Sequence, residues 1–356
     1  MVATSVVHRV AKGHAPLATF FITALYACVA HAAGMESIVR LDPALDTLMS
    51  SDARLELLYT GDPGDAFEGP VWVRSSQRGY LLFTNAPRNL IYKWTPDGKL
   101  SVFLDHIFTA DLSTALRAGS RIMLGANGAT LDHQGRLVYT SYSAGQIVRL
   151  EKNGTRTVLA DQFEGKRINA PNDLVVKSDG SVYFTDSRAS SAQTTGPNCA
   201  QFWMLCGNKD GVTHKGIYFV KAGVVRLFSQ TVDHPNGLAF SRNEKYLYVS
   251  NTILKNVLRF NMQLDGTGTN ERVFADMNGD PATGAPDGIK VDSDGNVYCT
   301  GPGGIWVLSP TGKHIGTILT PERLTNFTFG GNDAKTLYIE AATMLYRIPV
   351  KVPGLH

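Results

Sequence analysis

The chain is poor in charge, in cysteine and in long hydrophobic runs. Only 18% of its 356 residues are charged, and the formal net charge is +3. With 43% hydrophobic residues, that composition excludes wholesale disorder, a collagen and a coiled coil. A balance so close to neutral leaves no electrostatic footprint for a nucleic acid. The four cysteines and nine histidines show no spacing of a zinc centre. Helical periodicity is scarce as well: residues 110–118 are the one stretch that reads as a short amphipathic helix.

The single long apolar run is residues 15–30 (APLATFFITALYACVA). Arg9 and Lys12 precede it, and Ala30-His31-Ala32 offers the small-x-small pattern of a cleavage site. The run is too short and too quickly broken for a membrane span. We therefore expect residues 1–33 to be a signal peptide and residues 34–356 a single domain, exported to the periplasm or secreted, with no membrane attachment after cleavage. A retained anchor is the alternative. Loss of Arg9 and Lys12 leaves a mature charge of about +1. In an exporting compartment Cys199 and Cys206 are either bonded or free; Cys299, inside a strand pattern, reads as a buried small hydrophobe.

Glycine is what the chain has in quantity, 35 residues, implying many turns between short elements. Five segments repeat one pattern: Asn or Asp, alternating apolar residues, a polar turn, then a second β-rich run. They start at Asn127 (NGATLDHQGRLVYTS), Asn172 (NDLVVKSDGSVYFTD), Asn236 (NGLAFSRNEKYLYVS), Asp287 (DGIKVDSDGNVYCTG) and Asn326 (NFTFGGNDAKTLYIE). A divergent sixth starts at Glu68 (EGPVWVRSSQRGYLLFT), and the mean spacing is about 52 residues. Each copy reads as a hairpin followed by a third strand, such as Gln146 to Leu150, and a fourth, such as Arg156 to Ala160. Four strands per period, six periods and little helix predict an all-β chain forming a six-bladed β-propeller. A two-sheet sandwich would need neither a fixed period nor a polar residue at each repeat start.

If Glu68, Asn127, Asn172, Asn236, Asp287 and Asn326 open the innermost strands, rotation about the axis brings all six to one mouth of the central channel. Oxygen donors with two carboxylates suit a hard cation, calcium above all, and lack the nitrogen or sulfur that zinc prefers. Asn-Gly and Asp-Gly are also common turn formers, so each alone has that plainer reading. Glu68-Gly69-Pro70 is no preferred turn, and this favours a metal site at the mouth.

Several strings then resemble one known family: Phe67-Glu68-Gly69-Pro70-Val71-Trp72, Ala170-Pro171-Asn172-Asp173, Phe184-Thr185-Asp186, His234-Pro235-Asn236-Gly237-Leu238-Ala239-Phe240 and Pro286-Asp287-Gly288. In this order they resemble the gluconolactonase, regucalcin (senescence marker protein) and lactone-hydrolase family, over about Phe67 to Tyr346. The resemblance implies a propeller holding one divalent cation, usually calcium and in some members zinc, magnesium or manganese. It puts Glu68, Asn172, Asn236 and Asp287 at the metal and Asn127 at the substrate or behind a ligand. The expected substrate is a small lactone or related ester. Asp287 is the expected catalytic residue, as general base, as nucleophile, or as a ligand orienting a water acidified by the cation. Arg167, just before the Asn172 motif, is a candidate substrate contact. So is Trp203, within the long irregular stretch 187–214, where an apolar lid would suit a lactone bulkier than gluconolactone. Competing readings are a phosphotriesterase-type hydrolase and a calcium- or ligand-binding propeller without turnover. A strictosidine-synthase-like condensing propeller would not need the full ligand set. Nothing in the sequence speaks to oligomeric state.

Overall fold

The computed structural model describes residues 37–76, 78–109, 123–188 and 211–355. They form five four-stranded and one five-stranded antiparallel sheets and one two-stranded hairpin, Gln162–Phe163 with Lys166–Arg167. The only helix among the described residues is the single turn Leu45–Leu48. This is the expected six-bladed propeller. We number the blades in chain order by their innermost strands. They are Phe67–Val73, Ala126–Leu131, Pro171–Val176, Pro235–Phe240, Ile289–Val291 and Leu324–Gly330, for blades 1 to 6. The leader, the segment 110–118, Cys199, Trp203 and Cys206 lie outside the described residues.

Local chemistry explains the hairpins. In blade 3 the Asp179 carboxylate accepts from Ser181 N at 3.0 Å, and Gly180 takes φ +82° with its N–H on the Lys177 carbonyl at 2.8 Å. An Asx residue followed by glycine supplies both the side-chain acceptor and the left-handed backbone this turn needs. The strand that follows, Val182–Asp186, is buried throughout. Second strands elsewhere, such as Leu137–Ser141 and Val297–Gly301, are buried in the same way. Blades pack on one another through such residues: Trp72 of blade 1 stacks on Tyr338 of blade 6 at 4.9 Å. Cys299 is free and fully buried, as its strand position suggested.

The repeats did not reveal how the ring closes. Strand Glu56–Thr60 precedes the first repeat, yet it pairs antiparallel with Met344–Pro349 as the outermost strand of blade 6. Arg347 holds Glu56 with two hydrogen bonds, at 2.8 and 2.9 Å. Ile38–Arg40 pairs with His314–Leu319 and gives blade 5 a fifth strand. Hydrogen bonds between the two ends of the described chain thus close the ring.

Two features of the innermost strands set up the mouth. Register shifts interrupt the pairing of five of them, between Glu68 and Val71, Ala126 and Ala129, Pro171 and Leu174, Pro235 and Leu238, and Leu324 and Asn326. A bulge re-aims a side chain at the cost of ladder bonds. Here each falls beside the residue that opens a repeat. The glycines that follow Glu68, Asn127 and Asn236 are there for close approach. Gly69 has φ +56°, and a Cβ on Gly237 would collide with the Asp287 carbonyl oxygen. Gly237 N also donates to that oxygen at 3.1 Å. Gly237→Ala must push blades 4 and 5 apart, and we expect it to cost about 3 kcal/mol in urea unfolding. A midpoint within error of wild type would show that the blade contact yields freely.

Past the mouth, the channel opens into a cavity of about 240 Å³ lined by Val71, Leu131, Val175, Leu238 and Val291, with the half-buried Lys290 on its wall.

Candidate metal and active site at the channel mouth

Second strands hold the repeat starts in place. The Thr84 hydroxyl reaches the Asn127 carbonyl oxygen at 2.7 Å, Thr140 the Asn172 oxygen at 3.2 Å, Thr185 the Asn236 oxygen at 2.8 Å, and Ser250 the Asp287 oxygen at 2.6 Å. In blade 5, Thr300 accepts from Asp287 N at 2.7 Å. Blades 1 to 5 thereby fix the backbone at the mouth, their own or a neighbour's.

The side chains form linked pairs around the axis. Asn127 Nδ2 donates to Asn172 Oδ1 at 3.1 Å and to the Asn172 carbonyl at 3.2 Å. Asn326 Nδ2 donates to Glu68 at 3.2 Å. Asn236 Nδ2 donates to Thr252 Oγ1 at 3.1 Å, and Thr252 in turn donates to the Pro286 carbonyl at 2.8 Å. Glu68, Asn127 and Asn236 are buried, and Asp287 is 9% exposed. The structure therefore brings Glu68, Asn127, Asn172, Asn236 and Asp287 together, as the repeats required.

Electrostatics at this mouth are strained in the protein alone. Burial, then the charge of Asp173, pushes Glu68 up to about 7. Burial, then the charge of Glu68, holds Asp287 well above the usual carboxylate range; Arg323 and the Asn236 amide pull it partly back. Like charges in one buried site call for a cation. Asn236 Oδ1 is buried and no protein group donates to it. That oxygen, the Asn172 amide and the two carboxylates are hard donors suited to calcium or a similar divalent ion. Among the described residues no three His, Cys, Asp or Glu side chains cluster as a metal centre. The fit depends on the amides, which such a cluster does not include.

The other candidates sit differently. Arg167 donates to the Ser143 and Ala144 carbonyls at 2.6 and 3.2 Å, tying blade 3 to blade 2. Asp186 caps the approach to Asn172, accepting from Asn169 N and Ala170 N at 2.8 and 2.9 Å. His234 contributes its carbonyl to Thr252 N at 3.2 Å, so it is Thr252 that orients the Asn236 amide.

Two groups, Lys290 and Glu340, were not singled out from the sequence, and Asp173 enters it only as part of the Asn172 motif. Asp173 faces the channel, where Asn326 reaches it at 3.5 Å. Lys290 donates to Asn326 Oδ1 at 3.3 Å. Glu340 is fully buried, and among the described residues nothing donates a hydrogen bond to either carboxylate oxygen. Burial and the charge of Glu68 hold it far above its usual range. A signal for Glu340 was available: it takes the place of the Thr or Ser found in the second strands of the other five blades.

Comparison with known proteins agrees with the propeller fold. The model of the SMP-30/Gluconolactonase/LRE-like region matches residues 67–343. A gluconolactonase of Zymomonas mobilis is 28% identical over 327 residues, covering 89% of this chain and 87% of that protein. The lactonase drp35 of Staphylococcus haemolyticus is 28% identical over 275 residues, covering 71% and 73%. The solved gluconolactonase of Xanthomonas campestris superposes with a TM-score of 0.71 at 28% identity, covering 89% of this chain and 95% of that one. The chain belongs to the SMP-30/gluconolactonase/LRE-like family.

Proposed function

We propose that the protein is a lactonase that uses one divalent cation, calcium by its donor set, to open a lactone at the channel mouth. Family membership and relatives named gluconolactonase and lactonase support lactone hydrolysis. One observation carries the metal: two buried, mutually repelling carboxylates share the mouth with an amide oxygen that nothing in the protein satisfies. Glu68, Asn172, Asn236 and Asp287 hold the cation in this reading; zinc, magnesium or manganese are the alternatives. The chemistry a bound cation supplies is Lewis acidity toward the ring carbonyl and the oxyanion that develops there.

The chain's own groups do the rest. Asp287 orients the attacking water and takes its proton on a carboxylate oxygen. Thr252 fixes the Asn236 amide and Asn127 fixes that of Asn172, so neither has to reorganise during reaction. Asn127 spends its Nδ2 on Asn172 and keeps Oδ1 for a substrate hydroxyl. Arg167 supports the wall between blades 2 and 3. Trp203, outside the described residues, keeps its candidacy as a substrate contact on sequence position alone. We assign the working protein to an exported compartment on the leader.

Hydrolysis followed by pH-stat over sugar lactones, alkyl lactones and an aromatic ester tests this, after chelation and again after calcium return. We expect turnover of one lactone class, lost on chelation and restored by the ion. Turnover that survives exhaustive chelation removes the cation from the reading, and no turnover anywhere removes the hydrolase.

A further inference from the structure

Cations around the mouth are mostly engaged. Arg88 holds Asp65 at 2.7 Å, Arg167 holds two carbonyls, and Lys215 pairs with Asp233 at 3.1 Å. Arg323 differs. It is exposed, and among the described residues no hydrogen bond or ion pair involves its side chain. Its backbone position is fixed beside the site, because Gly288 N donates to the Thr325 carbonyl at 3.0 Å. That bond ties the innermost strand of blade 6, which starts directly after Arg323, to the residue after Asp287. Arg323 is also the cation whose charge reaches the Asp287 carboxylate.

A guanidinium left unpaired at the edge of a reacting centre is a ready binder for a carboxylate, which it can meet with two parallel hydrogen bonds. We propose that Arg323 binds a carboxylate substituent of the lactone, so that the protein favours lactones of sugar diacids over neutral sugar lactones. This rests on the lactonase reading and deepens it. The same chemistry could come from a second source, since every lactone yields a carboxylate on opening. The two sources separate by experiment.

The test compares D-glucaro-1,4-lactone, which carries a free carboxylate, with D-glucono-1,4-lactone, which has the same ring and a hydroxymethyl in its place. Both are run with calcium-loaded wild type, Arg323→Gln and the control Arg242→Gln. Arg242 lines the far half of the channel and donates to the Ser293 carbonyl. We expect the wild type to have the lower KM for the glucarolactone. We expect Arg323→Gln to erode that preference on the order of tenfold, and Arg242→Gln to keep it. Rising salt should erode it in wild type and not in Arg323→Gln, as for an exposed ion pair. A KM ratio unchanged in Arg323→Gln overturns the proposal. An unchanged ratio with weaker inhibition by gluconate also overturns it, and assigns Arg323 to the product carboxylate instead. If no lactone is turned over, the lactonase reading fails by itself. Arg323 is then judged by calorimetry with glucarate and gluconate: binding of glucarate that is equal in wild type and Arg323→Gln overturns the assignment, and selective loss in the variant supports it.

Discussion

Asp287→Asn lowers kcat on the preferred lactone by on the order of a thousandfold, with the propeller intact. The substitution keeps the shape of the side chain and removes its charge and basicity. Asp287 is held by its backbone as much as by its side chain: its N–H meets Thr300, and its carbonyl accepts from Ser250 and Gly237. None of those bonds involves the carboxylate, so the fold loses little. The variant also separates two roles. If kcat falls while calcium affinity by calorimetry holds within a few-fold, Asp287 acts on the water. If affinity falls and saturating calcium restores kcat, Asp287 is a ligand and nothing more. Wild-type activity without added calcium removes it from the site altogether.

How much of this was legible depends on what each residue answers to. The propeller and the innermost strands follow from a period that every blade repeats, so Asn172 and Asn236 could be placed from the pattern alone. Blade closure was not legible. Strand Glu56–Thr60 copies nothing in the repeats; its place follows from where the ring runs out of sheet. The glycine that follows Glu68, Asn127, Asn236 and Asp287 was legible as a residue and misleading as a signal. Gly237 looks like half of a turn, and it is there because the Asp287 carbonyl lies where a Cβ would stand. Asp173 accepts from the N–H of its neighbour Leu174 at 2.8 Å, yet its other oxygen faces across the channel. Glu340 and Lys290 sit deeper in strands, at positions where the repeat asks for a hydroxyl or an apolar residue. Only folding shows that both belong to the same charged cluster as Glu68.

That cluster gives the second large effect: chelated protein becomes less stable as the pH rises from about 6.5 to 8.5. Glu68 lies at about 7, and Asp287 and Glu340 lie well above the usual carboxylate range, each raised chiefly by burial. A raised acid keeps its proton in the folded state while the unfolded chain, ionised above about 4.5, does not. Its stabilising contribution is complete below the unfolded value and is lost as the pH climbs through the folded one. Each proton held in excess by the folded state costs about 1.4 kcal/mol per pH unit. His234 and His314 act in the opposite sense, because burial lowers both. Their contribution is complete once the pH passes the unfolded histidine value of about 6.5, which is why the window starts there. Calcium should flatten the profile, because it favours ionised ligands and binds more tightly as protons leave. Urea midpoints across this window, in chelator and in calcium, are the measurement. A midpoint in chelator that is flat or rises with pH would mean that the carboxylates at the mouth are ionised without a cation, and the strongest physical reason for placing one there would be gone.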